Sequence, residues 1–139
     1  MLRQGGVIAD IIGFETRIAY NRMETGDYTM GDAGWVADYN DPYNFLYLLL
    51  CDAGPMNWAR YCNKEYDALV QRASLTIEPK ERADLMSKAE QLMLDDHPIV
   101  PIGFSTHRNL VSLRVLGFED NIGNIHRTRF MSLKETKAQ

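Results

Sequence analysis

Apolar residues recur along the chain with two periods. Behind Asn63, the residues Tyr66, Leu69, Val70 and Ala73 fall at i, i+3, i+4 and i+7, one stripe of a helix with Asn63 as its N-cap. A second helix starts near Pro79. Leu85, Met86, Ala89, Leu92 and Met93 share its inner face, with Lys80, Glu81, Arg82, Asp84, Lys88 and Glu90 over the rest. The two predict a helical hairpin. Upstream, the β-rich run from Val7 to about Phe14 predicts a buried strand, and Thr16 to Glu24 a helix stopped at Gly26. "YTMGDAGW" reads as a second strand, with glycine leaving room for something to approach its backbone. Asp41-Pro42 marks a turn and helix start, "YNFLYLLL" a short apolar helix, and "DAGPMN" a loop. "HPIVPIGFS" predicts a strand whose Pro101 implies an edge or bulge, "NLVSLRVLGF" an extended segment, and "NIHRTRFMSL" a last strand before the polar "KETKAQ". Helices and strands alternate, so the expected class is α/β or α+β. The opening "MLRQGGV" reads as the tail of a helix ending at Gly5-Gly6, which suggests that the natural protein extends upstream.

The 139 residues suit one domain, and 45% hydrophobic residues suffice for a core. A net charge of −4 argues against a nucleic-acid partner, which calls for a basic face. The first apolar run is broken by Asp10 and is too short for a secretory signal. The run around Phe45 to Cys51 falls far below the roughly 20 residues of a membrane span. Cys51 and Cys62 stand too far apart for a CxxC pair and lack partners for a zinc site. They read equally well as two buried thiols or as a disulfide worth roughly 3 kcal/mol in the chain-entropy model.

The candidate chemistry gathers in "GDAGWVADYNDP", Gly31 to Pro42, where three acids flank a tryptophan between an expected strand and a helix. Asp38 and Asp41 could act as acid and base, yet no His, Ser or Cys stands beside them, and Asp before Pro is commonly a cap. Asp32, Asp38 and Asp41 lack the alternation of a calcium loop, and His97, His107 and His126 lack metal-ligand spacing. A third reading is capture of an ammonium group. Asp supplies charge and acceptors, Trp supplies an apolar wall with a cation–π face, and the glycine-containing strand can pair with an extended peptide. The bland alternative is a capped loop with Trp35 in the core.

Four stretches change this balance: "AGWVADYNDPYNFL" at Ala33 to Leu46, "NWARYCNKEYDALV", "ERADLMSKAEQLMLDDHPIVPIGF" and "NIHRTRFMSL". In this order and with these gaps, the sequence closely resembles the C-terminal part of the periplasmic oligopeptide- and dipeptide-binding proteins of ABC importers. The resemblance implies a mixed α/β class, as part of a two-lobed type II periplasmic-binding-protein-like fold, with strands, packed helices and a helical hairpin. Residues 1–139 would be a C-terminal portion contributing to the hinged lobes, with the upstream portion missing. Asp38 matches the aspartate, expected to be buried, that pairs with a peptide's α-ammonium. Gly34 and Val36 match strand positions whose backbones bond the peptide main chain, and Trp35 matches a residue lining the site. The resemblance also implies a Cys51–Cys62 disulfide, and a periplasmic or lipid-anchored extracellular protein peripheral to the membrane. It implies no catalytic residue, metal or cofactor, and as partners a peptide and the importer's membrane permease subunits. Alternatives within it are a nickel, haem, opine or oligosaccharide cargo, or a truncated product without a transport role. Where some relatives carry arginine two residues before the glycine of "GW", this chain has Asp32. An acid cannot anchor a peptide carboxylate, so that anchor lies elsewhere or the ligand differs in length or charge.

Overall fold

The structure, a computed structural model, describes residues 6, 8–121 and 123–135. They divide into two compact units, one up to Val100 and the other from Pro101. The helix tail expected over residues 1–5 lies outside the described residues, as does the end of the polar tail.

The first unit is helical. Helix α1 spans Thr16–Thr25; the Glu15 carboxylate accepts from the backbone N–H groups of Arg17 and Ile18 at 3.1 and 3.3 Å. It stops at Gly26, whose φ of 78° is left-handed and open to glycine without strain. The apolar run after Pro42 is not one helix. It divides into α2, Tyr43–Leu46, and a 3₁₀ turn, Tyr47–Leu49, with a second 3₁₀ turn at Gly54–Met56 against α1.

Helix α3, Lys64–Leu75, starts where its sequence places it. The Asn63 side chain accepts from Glu65 and Tyr66 N–H at 2.9 and 3.4 Å, and Tyr66, Val70 and Ala73 are fully buried. Helix α4, Pro79–Asp96, buries Leu85, Met86, Ala89 and Met93 against α3, and ends at His97 in a left-handed conformation with φ 58°. The expected hairpin is therefore present, and α2 packs on both of its helices. Leu46, Leu49 and Leu50 complete a single core with Tyr66 and Val70. The Tyr66 hydroxyl donates to the carbonyl of Leu46, tying α2 to α3 across this core.

The strands predicted at Val7 to Phe14, across "YTMGDAGW" and across "HPIVPIGFS" are not present among the described residues. Their apolar side chains are laid open instead: Ile8 and Ile11 are each 93% exposed and Phe104 is 100% exposed. A strand exists only where a neighbour takes up its backbone bonds, and no described segment does so here. The expected mixed α/β class is thus met by a mostly helical segment with two very short strands.

Those strands lie in the second unit. β1, Val115–Leu116, pairs antiparallel with β2, Ser132–Leu133, in the register Val115 to Leu133. Just beyond β1, Gly117 has φ 77°, and a Cβ there would meet the Phe130 carbonyl oxygen head-on, so only glycine fits. The long strand predicted across "NIHRTRFMSL" contains a 3₁₀ turn, Thr128–Phe130, before β2.

Candidate functional site

The acid-rich loop hangs on its far end. Asp41 is spent on structure: one carboxylate oxygen accepts from the Tyr43 N–H at 2.8 Å and caps α2. The same carboxylate also takes a bidentate bond from the Arg82 guanidinium of α4, at 2.8 and 2.9 Å. That guanidinium bond, offset in part by desolvation and aided by the Tyr43 N–H, holds the Asp41 carboxyl below the usual carboxylate range. This occupation ties up Asp41, so the acid–base reading of Asp38 and Asp41 loses one of its two members.

The buried side chain of Asn44, 1% exposed, organises the rest of the loop. Its carboxamide oxygen accepts from the Trp35 indole N–H at 2.8 Å and from the Asp38 backbone N–H at 3.2 Å. Trp35 is half-buried and stands edge-on to Tyr47, with ring centroids 6.3 Å apart, and Tyr47 stacks on Tyr43. Burial raises the Tyr47 phenol, and the nearby Asp38 charge raises it further.

Asp38, expected as a buried acid, is exposed. The loop is fastened through its backbone and through Asp41, which leaves the Asp38 side chain on the outside. Among the described residues its carboxylate takes no hydrogen bond or ion pair. Gly34 and Val36 are exposed, Val36 by 77%, and among the described residues no backbone bond engages either. Asp32 is exposed as well. The structure therefore places Trp35, Asp38 and Val36 along one open stretch, and adds Asn44, Tyr47 and Arg82, which the sequence reading did not single out. One signal pointed to Asn44: a lone polar residue in an apolar helical run.

Two surface depressions lie elsewhere. One of about 390 Å³ is lined by Cys51, Asn57, Arg60 and Cys62, and one of about 560 Å³ by Gly117, Asp120, His126 and Phe130. Along the acid–indole stretch Gly34, Val36 and Asp38 are exposed and Trp35 is half-buried. Cys51 and Cys62 form a disulfide with Cα atoms 4.4 Å apart. Among the described residues no group of three or more His, Cys, Asp or Glu converges as a metal site, and no helix is long and apolar enough to cross a membrane.

No protein-family model matches the chain. The oligopeptide-binding protein OppA of Bacillus subtilis is 33% identical over 73% of this chain and 18% of the relative. The periplasmic oligopeptide-binding protein OppA of Salmonella typhimurium is 31% identical over 87% of the chain and 22% of the relative. The heme-binding protein A of Haemophilus influenzae is 34% identical over 81% and 21%. The chain thus spans about one fifth of the length of the curated relatives it matches. Among solved structures, OppA of Burkholderia pseudomallei superposes with a TM-score of 0.83 at 28% identity, covering 96% of this chain and 26% of that one. The unliganded open form of the periplasmic murein tripeptide-binding protein MppA gives 0.76 at 28% identity, covering 95% and 26%. Sequence and fold agree over nearly the whole segment, and the chain belongs to the family of the oligopeptide- and dipeptide-binding proteins.

Proposed function

We propose that this chain contributes the amine-receiving face of a non-enzymatic, periplasmic solute-binding protein that hands extended peptides to the permease subunits of an ABC importer. The observation that carries the reading is the exposed Asp38 carboxylate near Trp35, which among the described residues takes no hydrogen bond or ion pair. Among the described residues the adjoining backbone at Gly34 and Val36 takes part in no hydrogen bond. The names of the matched relatives support it. In this reading the ammonium of a peptide meets Asp38, the indole walls off water, and the peptide main chain pairs with residues 34–36. Transport is then driven by differential affinity: ligand favours one conformation, which the membrane partner accepts.

Magnitude separates this from a chance surface acid. An exposed ion pair is worth about 0.2–1 kcal/mol. A charge pair that the seated ligand shields from water loses at least about 2 kcal/mol when one partner is removed. Calorimetry of trialanine binding to the intact protein and to Asp38→Ala decides between them. A loss of about 2 kcal/mol or more supports the reading, and unchanged affinity defeats Asp38 as the receptor.

The similarity to heme-binding protein A favours a second reading, haem as cargo. Tight hemin binding together with no calorimetric response to trialanine would replace the first reading with this one.

A further inference from the structure

We infer that Asn44 is the positioning residue of this site: one buried carboxamide oxygen fixes both the indole of Trp35 and the backbone of Asp38, and so sets where the aromatic wall and the acid stand. The inference rests on the reading of this loop as an amine receptor.

The Asn44 oxygen has two lone pairs and both are used, one by the Trp35 indole and one by the Asp38 N–H. The two donors belong to the residues proposed to contact the ligand. Neither lies on a helix or a paired strand, so neither is held by a backbone ladder. Asn44 itself is well held. Its N–H donates to the Asp41 carbonyl at 3.0 Å, and it sits in α2, which packs on both helices of the hairpin. The Arg82 clamp on Asp41 secures the same turn from α4. Rigid support thus runs from α4 through Asp41 to α2, and from Asn44 out to the loop. The neighbouring buried side chains Leu46 and Leu49 are apolar. Packing alone would be served as well by leucine at position 44, so a carboxamide is called for by what it binds.

The test uses the intact protein as expressed from its own gene. In the wild type, the Trp35 indole proton should resonate downfield of a solvent-exposed indole, and the Asp38 amide should exchange slowly. In Asn44→Leu, the indole resonance should move upfield and the Asp38 amide exchange faster. Trialanine affinity should fall about tenfold or more, because displacing a contact by even about 1 Å costs factors of this size. The preference for trialanine over N-acetyl-trialanine should shrink with it. Asn44→Asp keeps an acceptor oxygen and should retain the indole resonance. In a Trp35→Phe background, Asn44→Leu should cost less affinity than in the wild type, since one of its two bonds is already absent. A merely structural Asn44 would give additive losses and an unshifted indole. An indole at the free position in the wild type, or one unmoved in Asn44→Leu, overturns the inference. The wild-type measurement stands even if Asn44→Leu does not fold. A wild type that ignores trialanine sinks the amine-receptor reading instead, whatever the indole shows.

Discussion

Arg82 and Asp41 are 41 residues apart in sequence and meet through two parallel hydrogen bonds of 2.8 and 2.9 Å. The contact joins the first turns of α4 to the turn that starts α2. Both side chains are mostly shielded, at 29% and 27% exposure, which limits competition from water. It also sorts the acids of the loop, because Asp41 is consumed by structure and Asp38 is left to the surface.

This pairing should be measurable as a coupling. Asp41→Asn and Arg82→Met, singly and together, form a double-mutant cycle read by urea denaturation. The expected coupling is about 1 kcal/mol, the upper end for a partly exposed pair with bidentate geometry. Asp41→Ala should cost about 1 kcal/mol more than the ion pair alone, because the cap on Tyr43 is lost with it. Additive single losses would show that the contact contributes nothing to stability.

The Cys51–Cys62 bridge closes a loop already organised from within. Asn57 donates to the carbonyls of Leu50 and Tyr61 at 3.0 and 2.7 Å and accepts from the Tyr61 N–H at 3.1 Å. The Cys51 N–H donates to the Asp67 carboxylate at 3.1 Å. Replacing both cysteines with serine should lower stability by about 3 kcal/mol by chain entropy, while helix content by circular dichroism stays near that of the wild type. Intact mass after alkylation without reductant should show no modified thiol at these positions. Two alkylated thiols would remove the bridge.

Tyr66 is fully buried and its hydroxyl donates to the Leu46 carbonyl. Tyr66→Phe keeps the ring and strands that carbonyl, so a loss of about 1–2 kcal/mol is expected from thermal or chemical unfolding. No measurable loss would mean that water reaches Leu46 in the variant.

Stability should fall away at both ends of the pH range, for different groups. Asp41 is held low chiefly by Arg82, and Asp96 by hydrogen bonds from Tyr61 and Asn63, at 2.7 and 2.8 Å. In the unfolded chain these carboxyls take up protons first. Their contribution is therefore present above about pH 4, the ordinary carboxylate value, and is lost as pH falls through the folded values. Tyr61 moves the other way, pushed up to about 12 by burial and then by Asp96, and burial raises Tyr66 in the same direction. An unfolded phenol ionises near about pH 10, so this stability is complete below that value and lost as pH climbs towards the folded one. A melting-temperature profile should be flat between about pH 5 and 9 and fall on both sides. Tyr61→Phe should soften both edges, because one hydroxyl serves both; an unchanged profile would refute the assignment.

The helical hairpin was legible because its determinants are local. The Asn63 cap, the Pro79 start and the 3.6-residue stripes need no distant partner to be recognised, and each stands where the sequence puts it. Gly26 as a stop is of the same kind. The strands were legible as composition but not as structure, because a strand is completed by the backbone of another segment. Ile8, Ile11 and Phe104 find no ladder among the described residues.

The loop from Gly31 to Pro42 shows the same division. Its acids, indole and glycines marked it as a place for chemistry from the sequence alone, and the family resemblance attached roles to Asp38 and Trp35. Which acid is paired, and which takes no bond among the described residues, was decided only by the fold. Arg82 reaches Asp41 because α4 packs beside α2, and Asn44 reaches Trp35 and Asp38 because the chain turns back at Pro42. Local propensity is written in neighbouring residues. Hydrogen bonds across 9 or 41 positions exist only once packing has brought their ends together.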